Sequence, residues 1–91
     1  MYHITEYTYK QAKKLGVEVK HSKTKGKKLD VFKDGKKVAS IGALGMNDYP
    51  TYIRKFGKEF ADIRRKLYKI RHEKDRHVKG SAGFYSDKLL W

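Results

Sequence analysis

Between Asp48 and His77 apolar side chains recur at Tyr49, Ile53, Phe56, Phe60, Ile63, Leu67 and Ile70, with gaps of four, three, four, three, four and three. That rhythm sets all seven on one stripe of an α-helix. Arg54, Lys55, Lys58, Arg64, Arg65, Lys66, Lys69 and Arg71 fall between them, on the flanks and the far face. The spacing predicts a helix whose stripe lies in the core and whose other face meets an anion. Asn47 or Asp48 is placed to cap it, and Pro50 stands in the first turn, where no N–H is needed. Gly57 is the weak position, costing about 1 kcal/mol relative to alanine in a helix interior. Either one long helix or two helices meeting at Gly57 fits.

Upstream the period changes. Thr8 is placed to cap a short helix from Tyr9 to Leu15, with Gly16 as its left-handed stop. Val17, Val19 and His21 alternate with Glu18 and Lys20, which predicts a strand. The run of residues 22–26 then reads as a mobile loop. Asp34-Gly35 between Leu29–Lys33 and Lys36–Ile41 is the residue pair of a two-residue type I′ hairpin. In the simplest register Val31 faces Val38 and Lys33 faces Lys36, with Phe32 and Ile41 on the opposite face. The first strand adds to this hairpin, and the helix of residues 48–77 is expected to cover one side of the sheet. At the C-terminus Ser81 is placed to cap a last short helix or turn, pairing Tyr85 with Leu89 and Phe84 with Trp91. The expected fold is α+β, in one domain spanning residues 1–91: a short helix, a three-stranded antiparallel sheet, a long or broken helix, and a C-terminal turn.

Charge changes the picture from fold to partner. The chain has 91 residues, with 23 Lys and Arg against 10 Asp and Glu, a formal net charge of +13. A small fold with so much like charge repels itself unless an anion neutralises it. Nucleic acid is the foremost such partner, double-stranded DNA above all, met through phosphates. The expected contacts are Lys23, Lys25, Lys27 and Lys28 in the loop, then Arg54, Lys55, Arg64, Arg65, Lys69, Arg71, Lys74 and Arg76 along the helix. Counterion release over such a track supplies non-specific affinity of roughly 10⁻⁴ to 10⁻⁶ M at physiological salt. Tyr52 and Tyr68 are candidates for base stacking, weighed against partly exposed core positions. Aromatic residues at 13% separate the chain from a disordered basic tail.

The residues offer little chemistry beyond charge. There is no cysteine, hence no disulfide and no thiolate metal site. His72, Glu73, Asp75 and His77 cluster, but the histidines are five apart, which turns them away from each other on a helix, and cations surround them. No metal is expected. Glu59 and Asp62 read as partners for Lys55, Lys58, Arg65 and Lys66 rather than as an acid–base pair. No phosphate-cradling glycine loop and no activated nucleophile stands out, so neither an enzyme nor a cofactor is expected. No apolar run approaches membrane-spanning length and no secretory leader follows Met1, which predicts a protein of a cell or particle interior, not inserted in a membrane and not secreted.

One resemblance spans nearly the whole chain. Lys10-Gln11-Ala12-Lys13-Lys14-Leu15-Gly16-Val17, the run from Asp30 to Gly42, Asp48-Tyr49-Pro50-Thr51-Tyr52, the run from Arg64 to His72, and Gly80-Ser81-Ala82-Gly83-Phe84-Tyr85 closing on Leu89-Leu90-Trp91 together resemble a group of small basic proteins encoded by nucleocytoplasmic large DNA viruses. The resemblance implies a viral setting and a shared fold rather than a mechanism. Extra residues in that group between the Asp-Tyr-Pro segment and the Arg-Arg-Lys helix favour a break near Gly57. It also implies a location in the virion or infected-cell interior, with other particle proteins as further partners. Leu89, Leu90 and Trp91 are expected either to pack back on the domain's own core or to anchor a partner. A minor capsid or cement-type protein is thus the alternative to a nucleic-acid binder, with Phe84, Tyr85, Leu90 and Trp91 as the anchor for a partner's pocket.

Overall fold

A computed structural model describes residues 2–91 and has the expected α+β architecture. Its elements run α1 (Glu6–Leu15), β1 (Glu18–His21), β2 (Lys27–Lys33), β3 (Lys36–Ala43), α2 (Tyr49–Phe56), α3 (Lys58–Arg71) and α4 (Ala82–Leu90). The three strands form one antiparallel sheet in the order β1-β2-β3. Asp34 and Gly35 both have positive φ, 52° and 81°, as a type I′ turn requires.

The register departs from the simplest one. Lys33 does face Lys36, but an irregularity between Val31 and Phe32 sets Val31 opposite Ala39 rather than Val38. One extra residue in a ladder exchanges the faces beyond it. Ile41, expected beside Phe32, therefore joins Leu29 and Val31 in the core, while Val38 is exposed.

The helix start also moves. Thr5, not Thr8, caps α1, its hydroxyl accepting from the Thr8 N–H. Thr8 is fully buried instead, and its hydroxyl donates to the Leu89 carbonyl at 2.9 Å, fastening α1 to α4. These two helices cover the sheet. Ile4, Ala12, Val17, Val19, Leu29, Val31, Ile41, Tyr85, Leu89 and Leu90 form the core. The C-terminal Leu-Leu pair thus completes the domain, and a Cβ at Gly42 would come within 2.9 Å of Leu90 Cδ1, so β3 and α4 meet where only glycine fits.

Asp48 caps α2, its carboxylate accepting from the Thr51 N–H. Gly57 ends α2 and opens α3 at φ 91°, ψ 165°, a conformation that is essentially glycine's alone. The chain therefore breaks there instead of continuing as one helix. The break is sharp: Tyr49 Oη donates to Asp62 Oδ1 at 2.7 Å across thirteen residues, and the Tyr52 and Phe60 rings lie 5.8 Å apart. The two helices fold against one another.

The apolar stripe does not enter the core. Tyr49 is buried, but Ile53, Phe56, Phe60, Ile63, Leu67 and Ile70 are between 38% and 64% exposed. Helix α3 instead turns inward the face bearing Ala61, Arg65, Tyr68 and His72. Ala61 and Tyr68 are buried, Tyr68 Oη contacts Ser86 Oγ at 3.0 Å, and the Arg65 guanidinium lies 4.0 Å over the Tyr49 ring. The reason is geometric: α1 and α4 already cover the apolar side of a three-stranded sheet, leaving α3 a polar and aromatic seat on α2 and α4.

Candidate nucleic-acid interface

The loop from Leu44 to Asn47, between β3 and α2, is flanked by adjoining concavities that make one shallow groove. The larger, about 370 Å³, is lined by Tyr2, His3, Lys28, Leu44, Met46, Asn47, Thr51, Arg54 and Lys55. The next, about 240 Å³, shares Lys28, Met46 and Asn47 with it and continues past Gly42 to Tyr68, Arg71, His72 and Trp91. A third, of about 170 Å³, carries the groove on beside Lys27, Ser40, His72 and Gly83. Cations thus occur at both ends and along the side. Asp48 and Asp75 are the carboxylates on its walls, and each is engaged, Asp48 by Lys28 and Asp75 by His72 Nδ1 at 3.3 Å.

The floor is a buried polar triad. Asp48 Oδ2 accepts from Tyr2 Oη at 2.6 Å and from Lys28 Nζ at 3.2 Å, and Lys28 also donates to the Met46 carbonyl. Burial alone would raise the Asp48 carboxyl, but the Thr51 N–H, the Tyr2 hydroxyl and Lys28 together hold it below the ordinary carboxylate value. Tyr2 is pushed the other way, well above an ordinary phenol, by burial and by the carboxylate it donates to. The triad fixes the loop, and Lys28 is enclosed in it with two of its three N–H donors spent on Asp48 and the Met46 carbonyl.

The expected phosphate contacts therefore separate into two sets. Lys28 is buried and committed to Asp48, which removes it from the list. Lys69 donates to Asp87 Oδ1 at 2.7 Å, and Arg76 lies between Glu73 Oε2, at 2.7 Å, and Asp87 Oδ2, at 3.8 Å. Both serve the buried Asp87 carboxylate and tie α4 to α3. Arg65 is held by Asp62 at 3.6 Å and by the Tyr49 ring. Arg64 lies 5.5 Å over the Tyr52 ring. By contrast Lys23, Lys25, Lys27, Arg54, Lys55, Arg71 and Lys74 are exposed and, among the described residues, have no carboxylate partner. Of these, Lys27, Arg54, Lys55 and Arg71 line the groove.

The lysine loop is less free than its composition suggested. Asp30, buried on β2, accepts from Ser22 Oγ at 2.7 Å, Ser40 Oγ at 2.6 Å and the Lys23 N–H at 3.2 Å. Burial opposes charge on this carboxyl, yet the two hydroxyls and the amide keep it below the ordinary value. Lys23, Lys25 and Lys27 thus project from a tied turn rather than a mobile finger.

Neither tyrosine considered for base stacking is open. Tyr68 is buried beneath Trp91, and Tyr52 is half-buried among Phe56, Phe60 and Trp91. At the C-terminus Tyr85 and Leu90 are core, Trp91 is stacked on Tyr68, and Phe84 packs at the core's margin. Leu89, Leu90 and Trp91 thus pack back on the domain's own core, the first of the two readings that the sequence offered.

Glu73 joins His77 at 2.8 Å and Arg76, and is held below the usual glutamate value by them. Among the described residues no group of three or more His, Asp or Glu is placed to hold a metal ion, and no helix is long and apolar enough to cross a membrane. No family model, no curated protein and no solved structure matches this chain.

Proposed function

We propose that this is a non-enzymatic, largely sequence-independent nucleic-acid-binding protein, taking phosphates of double-stranded DNA along the groove beside the β3–α2 loop. The observation that carries the reading is the set of cations without a carboxylate partner among the described residues, Lys27, Arg54, Lys55 and Arg71, on a groove where Asp48 and Asp75 are met by Lys28 and His72. Phosphate oxygens would take the places that acids do not fill, and released counterions would supply the affinity. The excess of +13 then has a use that folding alone does not give it. The resemblance to small basic proteins of large DNA viruses extends the reading to a virion-associated setting.

The test is fluorescence anisotropy with a labelled DNA duplex across a salt series. Binding is expected to weaken linearly in log–log form with salt. Replacing Arg54, Lys55 and Arg71 by Glu together should abolish it while the thermal midpoint holds, since all three are exposed. Tight salt-insensitive binding, or none at low salt, overturns the reading. The alternative, an interaction protein, is favoured by a different observation from the one first expected: the exposed stripe of α2 and α3, not the C-terminus.

A further inference from the structure

Phe60, Ile63, Leu67 and Ile70 form an outward ridge on α3, and Phe56 adjoins it, its ring 5.0 Å from that of Phe60. With Ile53, these side chains offer roughly 600 Å² of apolar surface, at the top of what an ordinary monomer exposes in one patch. Two copies of such a face could together bury at most about 1,200 Å², the lower bound of stable interfaces.

The edges of the ridge identify the occupant. Helical geometry sets Glu59 and Lys66 along one edge and Arg64 and Arg71 along the other. Glu59 and Lys66 are exposed, and among the described residues neither has an ion-pair partner. Asp62, one turn from Glu59, is by contrast fully used by Lys58, Arg65 and Tyr49. A foreign acidic helix would be best met by edges that are wholly basic. An acid and a base seven residues apart on one edge, both free, are what a helix needs to pair antiparallel with its own copy.

We infer that α3 pairs antiparallel with α3 of a second copy of this chain, about a twofold axis passing between Ala61 and Asp62. In that register Phe60 lies against the partner's Ile63 and Leu67 reaches toward the partner's Phe56. Glu59 then stands beside the partner's Lys66, twice per dimer, and Arg64 stands beside the partner's Gly57, where no charge opposes it. Sliding by one heptad, so that Phe60 meets the partner's Ile70, would set Lys66 against the partner's Lys66 and Arg64 against the partner's Arg64. A parallel pair would set Lys66 beside the partner's Arg71, and that repulsion would cancel the attraction between Glu59 and the partner's Arg64 which the same pairing makes. Charge therefore selects one register among those the ridge permits.

The experiment is sedimentation velocity with light scattering on the full chain, without nucleic acid, over a concentration series. The expected mass rises with concentration from 10.7 kDa toward twice that value. Ile63→Glu should leave a monomer with an unchanged circular dichroism spectrum and thermal midpoint, because the residue is exposed. Glu59→Lys and Lys66→Glu should each weaken the dimer about tenfold, since the twofold turns two attractive contacts repulsive at once. The double variant, which keeps the net charge, should restore it. A wild-type chain that stays monomeric at every concentration overturns the proposal, as does a dimer that Ile63→Glu leaves intact or a double variant that does not recover. None of these outcomes depends on whether the groove binds DNA.

Discussion

The Tyr68 and Trp91 rings lie parallel, 7° from coplanar, with their centroids 4.3 Å apart. This stack joins the middle of α3 to the last residue of the chain. Trp91 also touches Tyr52 on α2, at 6.0 Å between centroids, so one terminal ring holds three helices together. Burial raises the Tyr68 phenol, as expected for a ring enclosed on both faces. Trp91→Ala is therefore expected to cost about 2 kcal/mol, less than a fully buried tryptophan because the ring keeps one exposed edge. Deleting residues 89–91 should prevent folding, as Leu89 and Leu90 are almost completely enclosed. Urea denaturation followed by far-ultraviolet circular dichroism checks both; a truncated chain that unfolds cooperatively at the wild-type midpoint would return the C-terminus to the role of a partner anchor.

Local signals told most of the fold. Asp34-Gly35 and the cap at Ser81 act over a few residues and lie where their chemistry placed them, whereas local signals left open Asn47 against Asp48 as cap and a continuous helix against a break at Gly57. What misled was the stripe. A four-three period establishes that a helix has an apolar face, but it carries no information on what that face meets. The answer depended on area: a three-stranded sheet has one apolar side, and α1 and α4 fill it. The site was legible in the same partial way. Charge density located the basic helix, yet the commitment of Lys28, Lys69 and Arg76 to Asp48 and Asp87 depends on contacts between residues 20, 18 and 11 positions apart, which no local pattern encodes.

The carboxylates of Asp48 and Asp30 predict how the fold responds to acid. Both are held below the ordinary carboxylate value in the folded chain. The unfolded chain then takes up protons at a higher pH than the folded one, so stability rises with pH between the two values and falls as pH drops through them. The thermal midpoint should stay level from neutrality to about pH 5 and decline steeply below about pH 4, where free carboxyl groups protonate. Asp48→Asn should lower the midpoint at neutral pH and flatten the acid decline. Tyr2 gives the opposite limb: its phenol is raised in the folded state, so its contribution is present below about pH 10 and lost above it. Thermal melts across pH for the wild type, Asp48→Asn and Tyr2→Phe measure both limbs, and an acid decline that Asp48→Asn leaves unaltered would show that the triad does not govern it.

Lys28 and Arg71 line the same concavity and should nonetheless behave in opposite ways. Lys28 is enclosed, with its ammonium between Asp48 and the Met46 carbonyl. Its truncation leaves a buried carboxylate short of a partner, a loss of about 3 kcal/mol where one half of a buried pair is removed. Arg71 is exposed, and its side chain makes no ion pair among the described residues. Its truncation should leave the melting temperature in place and reduce the salt slope of DNA binding by about one, the change expected for one phosphate contact. Lys28→Ala, measured at a temperature where the variant remains folded, should retain the wild-type slope. Paired measurement of stability and salt slope therefore separates a cation that builds the groove from one that uses it. If Lys28→Ala lowers the slope as Arg71→Ala does, the ammonium reaches phosphate and the triad opens on binding.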